Sequence, residues 1–222
     1  MRILVYNVRG FRAGPARVAE TVRHLRPDVA LITECGTTRT LRSFSEALGM
    51  NAHHGSLLPI VRRARNAILV REPLSVGRSE VHLFTHPARF HPRGAFAAVV
   101  TGGGGTFTAI AVHLGLSGEE RRRHSQELMG VVQDLRRPVL VGGDLNKRPT
   151  GAAAVAIARV GQDAWPLAGA GEGATFPAAD PSTRIDYLFT SEDVEIEAAF
   201  VPREAGMAEA SDHLPLVVDL VI

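Results

Sequence analysis

Short apolar runs that end on a polar residue set the rhythm of this chain. Arg2 to Val8 is rich in β-branched and aromatic residues, and its pattern predicts a buried strand. Gly10 and Gly14-Pro15 break the run. Ala16 to Leu25 then places Val18, Val22 and Leu25 on one face, with Arg17, Glu20 and Arg23 elsewhere, as a helix requires. Pro27-Asp28 ends that helix, and Val29 to Thr33 is a second buried strand closing at Glu34. A strand, a helix and a strand in succession point to an α/β domain with a covered sheet.

The pattern continues with a helix over about Arg39 to Leu48 and strands over Ala67–Val70, Ala95–Thr101 and Phe107–His113. Gly102-Gly103-Gly104-Gly105 lies between the last two. No helix and no Lys-Ser/Thr follows it, so it reads as a hairpin loop and not a phosphate loop. Ser117 opens a helix to about Leu135 whose expected core face is Leu128, Val131, Val132 and Leu135. Pro138 to Val141 is a strand running into Gly142-Gly143-Asp144, and Ala152 to Val160 a short apolar helix. Ile185–Thr190, Val194–Val201 and Leu216–Val221 are the last strands. The Ala-, Gly- and Pro-rich stretch from Gly161 to Arg184 reads as a surface excursion near a site. No linker or repeat divides residues 1–222, so one domain is expected.

Composition narrows the class without naming it. Apolar residues are 45% of the 222 and charged residues 22%, which is globular and neither disordered nor fibrous. The net charge is +2, too small to identify a polyanion-coating protein. Of 25 basic residues only Lys147 is not Arg. The single cysteine, Cys35, excludes an internal disulfide framework. No apolar run approaches the roughly 20 residues of a membrane helix, and the first residues do not read as a secretory signal. We therefore expect a cytoplasmic protein with no membrane anchor, monomeric.

The chemistry sits where the apolar runs stop. The first run gives Asn7, the second Glu34, a later one His113, and Gly-Asp-Leu-Asn supplies Asp144 and Asn146. Asp186 is embedded in Arg184-Ile185-Asp186-Tyr187, and Ser211-Asp212-His213 precedes the final strand. Strand ends in α/β folds aim side chains at one rim, where ligand sites gather. Glu34, Asp144 and Asp212, with the amides of Asn7 and Asn146, are hard oxygen donors suited to Mg²⁺ or Mn²⁺. His113 and His213 can carry protons near neutral pH. Carboxylates, a hard cation and two imidazoles are what attack on a phosphate ester needs.

These words, together with Ile32-Thr33-Glu34 and Tyr6-Asn7-Val8-Arg9-Gly10, occur in an order that resembles the endonuclease/exonuclease/phosphatase superfamily. Each alone is common; the ordered set spans residues 7 to 213. The resemblance implies a four-layered α/β sandwich of the deoxyribonuclease I-like kind, two mainly antiparallel sheets face to face with helices outside. It implies Glu34 as principal metal ligand, with Asn7 beside it and Asp212 completing the metal or polar network. Asp144 would position the attacking water, Asn146 hold a phosphate oxygen, and His213 contact the scissile phosphate with Asp186 behind it. His113 matches the branch with a leaving-group acid there. The cofactor implied is Mg²⁺, with Mn²⁺ as substitute. Arg65-Asn66-Ala67 resembles a family strand, so Arg65 and Asn66 join Asn146 as substrate-binding candidates.

Abasic-site endonucleases of that family carry a Tyr-x-Pro-Asn-like word near His113, where this chain reads His113-Leu114-Gly115. The expected activity is metal-dependent hydrolysis of phosphodiester bonds by a nuclease or phosphodiesterase, with a phosphate-ester substrate and nucleic acid among the candidates. The alternatives are a small-molecule or lipid-headgroup enzyme of the sphingomyelinase or inositol-phosphatase kind, and a non-catalytic binding module on the same fold. His82, His86 and His91 do not read as a zinc site, because Pro87 and Pro92 disfavour the helix that would bring them together. His53-His54 reads as a solvated loop pair. Arg121-Arg122-Arg123 is a helix face, whereas Arg62-Arg63 precedes a strand and could meet phosphates. Trp165 and Phe176 belong either to the cleft lining or to the core.

Overall fold

The protein is described from a computed structural model covering residues 1–55, 65–85, 92–159 and 161–222. In chain order the elements are β1 (Arg2–Asn7), a 3-10 turn (Arg9–Phe11), α1 (Pro15–Arg23), β2 (Val29–Thr33), α2 (Thr38–Leu48), β3 (Asn51–His54), β4 (Asn66–Val70) and β5 (Ser75–Leu83). There follow β6 (Gly94–Gly102), β7 (Gly105–His113), α3 (Gly118–Gln133), β8 (Val139–Asp144), α4 (Ala152–Ile157), β9 (Gln162–Asp163) and α5 (Ala164–Ala168). The chain finishes with β10 (Asp186–Thr190), β11 (Glu195–Phe200), α6 (Met207–Ala210) and β12 (Leu216–Val221).

The strands form two six-stranded mixed sheets, ordered β11-β12-β1-β2-β4-β3 and β5-β6-β7-β8-β10-β9. Only β1–β2 and β7–β8 pair in parallel among the described residues. Each of these pairs is bridged by a helix, α1 in the first sheet and α3 in the second, as a parallel crossover demands. The β6–β7 hairpin turns on Gly103 and Gly104, both at positive φ, the conformation that matches strand twist in a two-residue loop.

Three cores separate four layers. Leu4, Tyr6, Ala30, Ile32 and Leu69 on one face of the first sheet pack against Val18 and Val22 of α1 and Leu41 and Phe44 of α2. Ile110, Val112, Val141 and Phe189 of the second sheet pack against Leu128 of α3 and Ile157 of α4. Between the sheets lie Ile3, Val5, Val29, Leu31 and Ile68 from one side and Ala109, Ala111, Leu140 and Leu188 from the other. This is the expected four-layered sandwich. The sheets approach so closely at Gly142 that an added Cβ would stand 2.5 Å from Leu31 Cδ1 and 2.9 Å from Val5 Cγ2. At Gly143, with φ +153°, a Cβ would collide with the Val112 carbonyl oxygen at 1.8 Å. The Gly-Gly pair before Asp144 is therefore a packing requirement.

Several expectations need correction. His53 and His54 lie in strand β3, paired with Ile68 and Ala67 of β4, and not in a loop. His82 lies in β5, a strand whose mixed polar pattern hid it, because most of its residues are exposed. On α3 the buried residues are His124, Ser125 and Leu128, while Val131 and Val132 are half-buried; Leu135, also half-buried, lies past the helix end at Gln133. The helix after Ala152 ends at Ile157. His86, His91, Arg62 and Arg63 lie outside the described residues.

Candidate active site

Period-two alternation carries the site. The inward-facing residues of β1 read Ile3, Val5, Asn7, and those of β2 read Val29, Leu31, Thr33; on β4 the order is Asn66, Ile68, Val70. On the second sheet they read Ala109, Ala111, His113 on β7, Leu140, Gly142, Asp144 on β8, and Asp186, Leu188 on β10. Because side chains in register share a face, each sheet ends in one polar row on the inter-sheet side. The first row is Asn7–Thr33–Asn66, and the second is His113–Asp144–Asp186. Both rows lie at the same edge of the sandwich.

Glu34 follows the first row at φ +54°, a left-handed turn that costs a non-glycine residue energy and is typical of functional positions. Its side chain is half-buried, and Asn7 Nδ2 donates to its Oε1 at 3.3 Å. The same Asn7 amide donates to Asp144 Oδ2 at 3.1 Å, so one side chain spans the two sheets. Asn7 Oδ1 accepts the Arg9 N–H at 3.0 Å, which fixes the amide's orientation. Ser211 Oγ donates to the Asn7 carbonyl at 2.7 Å and brings the loop before β12 to this edge.

The second row is denser. Asp144 is buried, and its Oδ1 accepts the backbone N–H of Asn146 at 2.8 Å. Its Oδ2 lies 3.3 Å from His113 Nε2 and 3.7 Å from His213 Nε2. His213 Nδ1 pairs with Asp186 Oδ2 at 2.8 Å. Asn146, another non-glycine at positive φ (+52°), points its Nδ2 at His113 Nε2 (3.1 Å) and at the Leu114 carbonyl (3.0 Å). The late excursion returns to this cluster. Thr175 Oγ1 accepts from the Ile185 and Asp186 N–H groups at 3.4 Å each, and the Phe176 ring tilts against His213 at 5.0 Å. An Arg184–Asp163 pair, buried at the arginine and half-buried at the aspartate, 2.6 Å at its shorter contact, ties the two ends of that excursion together just before β10.

Burial works against charge on Asp144. The hydrogen bond and charge of His113, the charge of His213 and the Asn146 N–H outweigh it, holding the carboxyl well below the usual range. Burial likewise opposes a charged His213. The charge and hydrogen bond of Asp186, with the charges of Asp144 and Asp212, overcome it and push the imidazolium up to about 10. Asp186 is fully buried, which raises its carboxyl above the ordinary value against the opposing charge and hydrogen bond of His213, and its Oδ1 has no hydrogen-bond partner.

The structure gathers Asn7, Glu34, His113, Asp144, Asn146, Asp186 and His213 within one hydrogen-bonded edge. Asp212 lies beside it, half-buried, its Oδ2 3.1 Å from Arg9 Nε. Asn66 is buried at the same edge, donating to the Gly94 and Ala111 carbonyls at 2.8 and 3.1 Å, so its amide stitches the sheets together. Arg65 is exposed, and its carbonyl accepts the Cys35 N–H at 2.9 Å. Trp165 packs half-buried against the inter-sheet core.

Sequence reasoning missed Arg93, whose Nη1 lies 2.7 and 2.6 Å from the two ring nitrogens of His113. It also missed Thr175, and it named Ser211 and Arg9 only as parts of the motif words, without a role. The signal for Arg93 was its position immediately before a strand paired to the His113 strand, which no single-residue pattern marks.

Two donor groups are candidates for a metal. Asp144, Asp186 and His213 offer ligand atoms all within 4.8 Å of one another, buried and able to hold an ion. In that group His213 Nδ1 is engaged by Asp186 Oδ2, while Asp186 Oδ1 is buried without a hydrogen-bond partner. The Glu34 side chain is half-buried and bonded through one amide contact among the described residues. Carboxylate oxygens suit a hard divalent cation; Asp212, the other half-buried carboxylate beside this edge, is paired with Arg9, and Asn7 turns its amide nitrogen toward Glu34 and its oxygen to the Arg9 N–H.

Sandwich and edge together define a phosphoesterase fold. The chain belongs to the Endonuclease/Exonuclease/phosphatase family, whose model matches residues 4–213. Among solved structures, a functionally unknown conserved protein from Enterococcus faecalis V583 aligns at 19% identity, TM-score 0.85, covering 100% of this chain and 99% of that one. A Bacteroides thetaiotaomicron mannosyl-6-phosphatase aligns at 18% identity and TM-score 0.83, with 100% of both chains covered. A humanized D. rerio TDP2 aligns at 20% identity and TM-score 0.80, covering 100% and 99%. At these identities the likeness is one of fold. A search of curated proteins finds no match.

Proposed function

We propose that the protein is a Mg²⁺-dependent phosphoesterase that cleaves phosphodiester bonds, a nuclease or phosphodiesterase. The observation that carries this reading is the Asp144–His213–Asp186 chain placed opposite Glu34 and joined to it through Asn7. Glu34 and Asp212 would hold the ion, with Asn7 orienting Glu34. When bound, Mg²⁺ supplies Lewis-acid polarisation of the phosphate.

The chain's own groups account for the rest. Asp144 is held ionised and is thus a weak base. It orients a water for attack through an oxygen that faces both sheets. His213, kept cationic by Asp186, donates from Nε2 to a phosphate oxygen as negative charge develops. Asn146 offers its amide N–H to the same phosphate, and His113 faces the leaving group. Phe176 covers one side of His213 and limits water there.

A second reading, hydrolysis of a small phosphate monoester, is favoured by the end-to-end likeness in fold to the mannosyl-6-phosphatase. No helix among the described residues is long and apolar enough to cross a membrane. Bis(p-nitrophenyl) phosphate and p-nitrophenyl phosphate, assayed with Mg²⁺ or EDTA, separate the two readings. A panel of plasmid DNA, RNA, sphingomyelin, inositol phosphates and mannose 6-phosphate then identifies the substrate class. Metal-dependent cleavage lost in both Asp144→Ala and His213→Ala is expected. Folded variants with wild-type rates, or a wild type inert on every substrate, would refute it.

A further inference from the structure

Arg9 occupies two of the oxygens that stand beside Glu34. Its backbone N–H donates to Asn7 Oδ1 at 3.0 Å, and its Nε lies 3.1 Å from Asp212 Oδ2. The turn that places it is strained and fixed. Arg9, Gly10 and Phe11 stand in succession at φ +47°, +64° and +57°, a left-handed run that costs energy at its two non-glycine positions. Gly10 donates its N–H to the Glu34 carbonyl at 2.9 Å, and Phe11 is buried with its ring 5.0 Å from that of Phe44. The backbone of Arg9 is thereby tied to Glu34 itself. Its side chain is held far less firmly. The Arg9 and Asp212 side chains are 46% and 35% exposed, so water screens their attraction and the pair is easily parted. A divalent ion brings twice the charge of a guanidinium to the same carboxylate.

We propose that Arg9 is a built-in counter-cation of this edge, which competes with a divalent cation for Asp212 and so sets a low affinity for it. The inference rests on the reading of Glu34 and Asp212 as the groups that hold the ion, and adds what regulates their loading. The two halves of Arg9 have separate tasks. The guanidinium leaves Asp212 when the ion is taken up. The backbone N–H stays on Asn7 Oδ1, so the Asn7 amide remains turned toward Glu34 throughout. A substitution of the side chain therefore removes the competitor without removing the contact that orients Asn7.

Calorimetric titration of EDTA-treated, dialysed protein with Mn²⁺ tests this without turnover. Arg9→Gln should bind Mn²⁺ at least about threefold more tightly than wild type, as loss of a nearby positive charge implies. Arg9→Lys, which keeps the charge, should stay close to wild type. Arg12 is an exposed neighbour that joins no ion pair among the described residues. Arg12→Gln should change the affinity by less than about twofold, which separates pairing with Asp212 from a general effect of net charge. In an Asp212→Asn background, Arg9→Gln should no longer tighten binding, since no carboxylate is left to compete for. Thermal melts check that each variant is folded. If the Gln variant is not, Arg9→Gly, which accepts the left-handed turn without strain, must show the same tightening. Folded Gln and Gly variants that bind Mn²⁺ no better than wild type would overturn the proposal. Equal tightening by Arg12→Gln, or tightening that persists with Asp212→Asn, would do so too. Tightening in a protein that hydrolyses nothing would leave the role of Arg9 standing and remove the phosphoesterase reading. Metal-dependent hydrolysis with Mn²⁺ affinity indifferent to Arg9 would do the reverse.

Discussion

Glu34 and Asp144 are both carboxylates at the ends of apolar strands, one from each sheet, and Asn7 donates to both. Their surroundings differ. Glu34 stands half-buried on a left-handed turn with one amide contact. Asp144 is buried between two imidazoles, with a backbone N–H on its second oxygen. A carboxylate with spare coordination and solvent access suits a cation that must enter and leave. One saturated by hydrogen bonds suits a fixed orientation. The same functional group is thus divided between two tasks by the number of its donors, and Asn7 keeps the two tasks at a set separation.

The largest effect that could break this contrast comes from Asp144→Asn. It should lower kcat about 10²–10⁴-fold, the usual contribution of a positioned acid or base, with metal affinity retained. Equal loss of metal affinity would show that the two carboxylates share one task. Next, Asn7→Ala should weaken Mn²⁺ binding by about 10–100-fold, measured by calorimetry, as for other groups that orient a ligand. His213→Ala should leave that affinity near wild type. The opposite pattern would move the ion to the Asp144–Asp186–His213 group.

Third, Gly142→Val forces side-chain volume between the facing sheets. It should cost about 1–3 kcal/mol in urea denaturation, the range for overpacked cores. The smallest effect is at the far end of β1, where Arg2 Nε meets Asp219 Oδ1 at 2.7 Å. The Arg2 hydrogen bond, against some burial, lowers the Asp219 pKa. Its stabilisation is therefore present above the unfolded value of about 3.9 and lost as pH falls through the lower folded value. Asp219→Asn should remove that acid-side slope and cost less than about 1 kcal/mol, since the pair is partly exposed. Activity at neutral pH should not change; a change would mean that strand β1 transmits strain to Asn7.

The sequence showed the polar ends of the strands because burial forces an apolar run before each of them. Asn7, Glu34, His113 and Asp144 were legible for that reason. Asp186 and His213 were legible from their words, but their bond was not, because it joins residues 27 apart through the fold. Strands β3 and β5 were hidden by their edge positions. Exposed edge strands carry polar residues on both faces and lose the alternation that reveals inner strands. His124, buried on α3, was missed because its ring is satisfied by the Gly115 N–H at 3.1 Å, a contact nine residues away. Arg93 was unreadable because a buried arginine and a surface one look alike until the sheets are packed.

His113, Asp144 and Asp186 occupy one rung across three strands, fixed by main-chain pairing and not by loops. Spacing along such a rung is inherited from the sheet itself, near 4.8 Å per strand. Insertions and deletions in the surrounding loops can accumulate without moving it. A lineage built on this scaffold is free to exchange its substrates by rewriting the rim while the reactive rung passes on unaltered.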